Sequence, residues 1–194
     1  GEKERLLDRR IATADNHDPL HWPARMWIAL LIFSGVILLD GLDISMIAVA
    51  IPEIQHAFGI GAATAQWLVS AYILAFGGFL LLGGRCADLF GRRRLFLIGV
   101  VVFTIASFLC GLAWSEGVLI ASRAVQGLGA AIISPAALSI IMTTFEEGAE
   151  RNKALGVWGA IGGSGAAVGV LAGGVLTEYA GWEWIFFVNV PVGV

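Results

Sequence analysis

Charge is scarce in this sequence. Only 14% of its residues are Asp, Glu, Lys or Arg, whereas 58% are hydrophobic and the mean hydropathy is +0.83. A soluble domain carries about a quarter charged residues, so an integral membrane protein is the class that fits. Cysteine is also rare. Cys86 and Cys110 fall near opposite ends of adjacent apolar segments, too far apart to bridge, which excludes a disulfide framework. No residues have metal-ligand spacing, and neither a metal nor any other cofactor is expected. A nucleophile–base pair and a phosphate-binding glycine loop are missing too, because the glycines lie inside apolar segments; an enzyme is not expected. Nucleic acid is excluded as a partner, since the basic residues sit on short membrane loops.

Long apolar runs dominate what remains. Five complete segments, about 26–50, 66–84, 95–114, 118–142 and 154–176, are followed by a partial one at 184–194. Each complete segment has about the 20 residues needed to cross roughly 30 Å of hydrocarbon at 1.5 Å per residue. The first is too long for a cleaved signal peptide and is not followed by a small-x-small site. Residues 1–24 read as a polar tail in which Pro19 and Pro23 break any helix before the membrane, and residues 25–194 read as one transmembrane bundle. The sixth segment ends at Val194 after some ten residues, so a fragment of a longer membrane protein is expected.

Lysine and arginine are confined to one side. Apart from Arg123, they occur in the tail through Arg25, in residues 84–94 and in residues 143–153. The alternate loops hold Glu53, His56, Glu116, Glu178 and Glu183 but no Lys or Arg. Basic loops are retained in the cytoplasm, which predicts a multi-pass protein of the inner membrane with a cytoplasmic N-terminus.

Residues 84–94, GRCADLFGRRR, form a polar hinge between the second and third segments. Asp88 can cap the following helix or pair with Arg92 after Gly91 turns the chain. On charge alone this is a positive-inside loop. Its spacing, however, resembles G-x-L-A-D-x-x-G-R-[RK], the loop between spans two and three of the major facilitator superfamily. Gly84, Asp88, Gly91, Arg92 and Arg93 fall in register, with Cys86 in place of Leu. The resemblance implies a conformational hinge that latches onto the other half of a transporter.

Three ionisable residues lie within apolar segments: Asp40 and Asp43 in the first and Arg123 in the fourth. Each costs roughly 2.5–3.5 kcal/mol at a helix centre, so such residues face a cavity or a partner. Asp40 and Asp43 are three apart and lie on nearly one helix face. Burial favours the neutral form of a carboxyl, so an aspartate there could take up and release a proton. The plainer alternative is a structural bridge between one aspartate and Arg123.

Residues 42–52, LDISMIAVAIP, resemble L-D-x-T-[IV]-V-N-V-A-L-P of the fourteen-span drug:proton antiporter branch, with Ala48 at its Asn position. Residues 119–131, LIASRAVQGLGAA, are similar to its L-x-x-x-R-x-x-Q-G-x-G-A-A in span four. By resemblance, Arg123 supports proton transfer to or from a carboxylate, and Asp43, Asp40 and Arg123 form the proton-coupling group. Asp43, Gln126 and Tyr72 are the residues the resemblance turns toward a substrate cavity. Trp67 and Tyr72 in span two also suit the branch, although aromatics in a span are more often packing.

In the fifth segment Gly165, Gly169 and Gly173 repeat every four residues and are joined by Gly174. Such a stripe lets a neighbouring backbone approach closely, which is sufficient to explain it as helix packing. It also resembles the antiporter motif G-x-x-x-G-P-x-x-G-G, with Val170 at the proline position. Residues 182–193, WEWIFFVNVPVG, resemble W-R-W-x-F-x-[IV]-N-x-P-x-G, with Glu183 replacing Arg. Trp182 and Trp184 read as interfacial anchors.

Together these motifs imply an all-α membrane fold: the N-terminal six-helix bundle of a major facilitator, two inverted three-helix repeats with the sixth helix truncated. The function implied is proton-coupled efflux of amphipathic drugs or similar small molecules by alternating access. The partners implied are a small-molecule substrate, protons, the lipid bilayer and the C-terminal half of the same transporter. The alternatives are export of an endogenous lipid or metabolite, an uncoupled facilitator, and a non-transporting scaffold or sensor.

Overall fold

The computed structural model describes residues 2, 3, 5, 6 and 22–193. The remainder of the expected 1–24 tail, Pro19 included, and Val194 lie outside the described residues. From residue 22 onward the chain is helical: α1 Ala24–Phe58, α2 Ala62–Phe90, α3 Arg92–Gly111, α4 Glu116–Thr144 and α5 Ala149–Tyr179, then short α6 Trp184–Phe187 and α7 Asn189–Gly193. The first five are long and apolar enough to cross a membrane. The sixth apolar stretch is the α6–α7 pair, packed against α3.

Helix ends follow local chemistry. Pro23 precedes α1, where its fixed φ is harmless, and Gly59 closes the helix at φ 63°. Ser115 caps α4 by accepting from the Val118 amide at 3.3 Å. Most helices overrun the apolar segments that announce them. At 35 residues, α1 is about 52 Å long, well beyond the hydrocarbon thickness.

The expected 84–94 hinge is mostly not a loop. Residues 84–90 continue α2 and α3 begins at Arg92, so Gly91 alone breaks the helix, at φ 98°. A positive φ is open to glycine at no steric cost. Asp88 makes no capping hydrogen bond, and its oxygen lies 4.0 Å from Arg92 with both side chains well exposed.

Hydrophobicity does not orient these helices, because lipid and core are both apolar; small residues and the few polar ones do. Helix α1 lies along α5, while α2 and α3 lie along α4. Exchanging the first three spans for the second three turns the α1–α5 contact into the α4–α2 contact, as inverted repeats require. The glycine stripe makes the first contact. A Cβ on Gly165 would lie 2.9 Å from the Leu38 carbonyl oxygen, one on Gly169 2.7 Å from Ser45 Cβ, and one on Gly173 2.9 Å from Met46 Cα. Gly174 takes no part in this packing, since nothing lies within 4 Å of its added Cβ. In the second contact Gly127 lets α4 lie directly on the Tyr72 carbonyl of α2. Leu74, Leu81 and Leu171 point outward, as a lipid-facing surface requires.

Candidate functional site

The close α1–α5 and α2–α4 packing brings the intramembrane charges together. Asp43 on α1 pairs with Arg123 on α4, and both side chains are buried. Arg123 Nε donates to the Leu68 carbonyl at 2.9 Å, and one terminal nitrogen donates to both Asp43 Oδ2 and Gln126 Oε1. Gln126 Nε2 donates to Asp43 Oδ1 at 3.1 Å. The guanidinium carbon sits 4.5 Å from the Tyr72 ring centroid, over its electron-rich face. Surrounding groups satisfy most of the remaining lone pairs and protons that a buried pair must place, although the second terminal nitrogen of Arg123 has no partner among the described residues.

Asp40 lies one turn toward the N-terminus of α1 and accepts a hydrogen bond from the Tyr72 hydroxyl. The two aspartates therefore have different partners. Asp43 takes the cation and Asp40 takes a phenol. Tyr72 touches both groups, with its hydroxyl on Asp40 and its ring beneath Arg123.

A cavity of about 340 Å³ opens between α1, α3 and α4. It is lined largely by apolar side chains such as Leu31, Val36, Phe96, Phe103 and Ile133, and its one charged lining residue is Asp40. Asp43, Gln126 and Tyr72 are not among its lining residues; they are sealed inside the bundle.

Two further residues join the cluster. Asn189 of α7 donates to Asp43 Oδ1 at 3.2 Å and to Ser107 Oγ of α3 at 3.2 Å. Cys110 Sγ lies 3.7 Å from Gln126 Oε1, and neither cysteine forms a disulfide. The signal for Asn189 was its place in the N-x-P of the last motif, a polar residue in an otherwise apolar run. Ser107 gave none, because a lone serine in a span is common. The hinge residues Gly84, Asp88, Gly91, Arg92 and Arg93 lie at the α2–α3 junction, and the charged members among them are absent from this cluster.

An all-helical membrane bundle with inverted internal pairing and an ion pair sealed between its first and fourth spans defines a secondary-transporter fold. The chain belongs to the Major Facilitator Superfamily, whose family model matches residues 33–194. It is 50% identical over 170 residues to the puromycin resistance protein pur8 of Streptomyces alboniger, an alignment covering 88% of this chain and 34% of that protein. Likewise, it is 47% identical over 152 residues to the cephamycin export protein CmcT of Amycolatopsis lactamdurans, covering 78% of this chain and 31% of the relative. The chain thus spans about a third of the length of these curated relatives. Its fold is similar to the crystal structure of a bacterial homolog of the human lysosomal transporter Spinster. The TM-score is 0.73 at 23% identity, covering 90% of this chain and 41% of that one.

Proposed function

We propose that this chain is part of a secondary transporter that exports amphipathic small molecules in exchange for protons by alternating access. The observation that carries the reading is the buried Asp43–Arg123 pair between the first and fourth spans. In a dry bundle the carboxyl and the guanidinium depend on each other as partners. Separating the two leaves a carboxylate without its cation, and a proton added to that carboxylate gives a neutral carboxyl that no longer holds the two spans together. Protonation and helix separation are therefore linked. The named activities of the relatives, puromycin resistance and cephamycin export, support an outward-directed organic substrate.

Asp43 is the proton carrier in this reading, and Arg123 sets when the proton binds. Asp40 and Tyr72 couple the site to the apolar cavity, since Asp40 belongs to both. Gln126 holds the two charged groups in register. One proton crossing 100 mV releases about 2.3 kcal/mol, against about 1.4 kcal/mol for a tenfold concentration of substrate. One carboxylate is therefore enough to drive a useful gradient. Arg92 and Arg93 stand at the cytoplasmic face of the inner membrane together with the N-terminus, and latch onto a second half of the transporter. The test is substrate-driven proton flux from full-length protein in liposomes. Asp43→Asn should abolish it, and flux that survives that substitution overturns the assignment.

A second reading, transport without proton coupling, is favoured by Val170. Helix α5 runs unbroken through this position, where the related antiporter motif has a proline. Efflux that persists after the proton gradient is collapsed would select it.

A further inference from the structure

The last apolar stretch contains a polar residue to which the transport reading gives no task. Asn189 is fully buried at the start of α7. Its amide nitrogen donates to Asp43 Oδ1 and to Ser107 Oγ, each at 3.2 Å, which uses both of its hydrogens. The Ser107 hydroxyl donates in turn to the Phe186 carbonyl at 2.7 Å. One amide thus ties α1 to α3 and to the start of the sixth apolar stretch. Its oxygen is buried and has no partner among the described residues.

A buried acceptor left empty is costly, so its situation is informative. Asp43 accepts from three donors, Gln126 Nε2 and Asn189 Nδ2 on Oδ1 and Arg123 on Oδ2. That set suits an ionised carboxylate, which accepts and does not donate. A proton on Oδ1 turns that oxygen into a donor in need of an acceptor. Gln126 Oε1 is already engaged by Arg123 and Cys110. Asn189 Oδ1 is the amide oxygen still free, and a half-turn about the Asn189 Cβ–Cγ bond brings it where the nitrogen stands.

We propose that Asn189 is a positioning residue for the proton step, donating to ionised Asp43 and, with its amide inverted, accepting from protonated Asp43. The inference rests on the reading of Asp43 as proton carrier. A hydronium ion gives its proton to Asp43 Oδ1, forming an O–H bond and leaving water, and the Asn189 N–H hydrogen bond to that oxygen breaks. The amide turns, and the new O–H donates to Asn189 Oδ1. The turned oxygen also faces Ser107, whose single hydroxyl hydrogen is then drawn away from the Phe186 carbonyl. The protonation state of α1 thereby reaches the start of the sixth apolar stretch. Arg123 from α4, Asp40 from α1, Tyr72 from α2 and Cys110 from α3 are the other titratable groups facing this point.

The test is infrared difference spectroscopy of the full-length protein in liposomes after a pH change. The Asp43 carboxyl band is identified by its loss in Asp43→Asn. In unmutated protein carrying 13C-labelled asparagine, an asparagine amide band should shift at the same pH as that carboxyl band. Asn189→Leu, of similar shape without polar atoms, should abolish the amide shift and move the Asp43 band toward the frequency of a free acid. An Asp43 band that titrates with unchanged frequency in Asn189→Leu overturns the proposal. So does the absence of an asparagine shift in the unmutated protein, a result that needs no variant to fold. If Asp43→Asn removes no pH-dependent band at all, the proton-carrier reading fails and takes this inference with it.

Discussion

Arg123 of α4 reaches across the bundle to Asp43 of α1, and the two side chains are 0% and 1% exposed. Neither charge touches lipid or water, so each depends on the other. Arg123→Leu strands an unpaired carboxylate and should destabilise the protein by about 3–5 kcal/mol. Replacing both residues by Leu should recover most of that loss without restoring transport. Chemical unfolding in detergent measures the first effect and liposome efflux the second. A single Arg123→Leu protein as stable as the parent would show that the pair carries little.

The α1–α5 contact depends on particular glycines. Gly169→Leu drives a side chain into Ser45 and the Leu42 backbone, whose carbonyl oxygen lies 3.0 Å from the added Cβ. Overpacking of this kind costs about 1–3 kcal/mol. Gly174→Ala, five residues further on, meets nothing and should be neutral or slightly stabilising, by up to about 1 kcal/mol. Thermal unfolding of the two variants side by side checks the contrast.

At the α2–α3 junction stability and function should separate. Asp88 and Arg92 are exposed and 4.0 Å apart, so their mutual attraction is worth about 0–1 kcal/mol. Asp88→Asn should therefore leave the unfolding temperature within about 4 °C of the parent's. Efflux should nevertheless fall at least about tenfold, equivalent to about 1.4 kcal/mol, if Asp88 acts on the rest of the transporter. Unchanged efflux would reduce the motif to a topological signal.

The orientation read from charge is directly measurable. Glu147, exposed between α4 and α5, and Ser115, at the start of α4, lie at opposite ends of one span. A cysteine placed at Glu147 should react with a membrane-impermeant thiol reagent only from the cytoplasmic side, and one at Ser115 only from outside. The reverse pattern would invert the topology. Cys110 is buried, and replacing Cys86 with Ser removes the remaining background.

Near the start of α1, Lys153 Nζ of α5 sits 4.3 Å from the Trp22 ring centroid and 5.2 Å from that of Trp27. Lys153→Gln should cost about 0.5–1 kcal/mol through the lost cation–π contact. Trp22 and Trp27 lie on the entry to α1, so a change in tryptophan emission should accompany that loss.

The order of amino acids alone determined which helices are long and apolar enough to cross a membrane, which orientation to expect of them, and which few residues sit where charge is expensive. Those properties are local, set by the length of an apolar run, the sign of a loop and the three-residue spacing of Asp40 and Asp43. It did not determine which aspartate takes the arginine. Three residues along a helix are about 60° apart in direction and 4.5 Å apart in depth. That difference matters only once α1 has a fixed rotation. The close approach of Gly165, Gly169 and Gly173 to α1 sets that rotation, directing Asp43 to Arg123 and Asp40 to Tyr72. Gly174 falls outside the packed face because it lies one residue, about 100°, off the four-residue repeat; the structure identified α1 as the helix that the repeat packs against. It brought in Asn189 and Ser107, 146 and 82 residues from their partners Asp43 and Asn189, since contacts between distant spans leave no periodic trace along the chain.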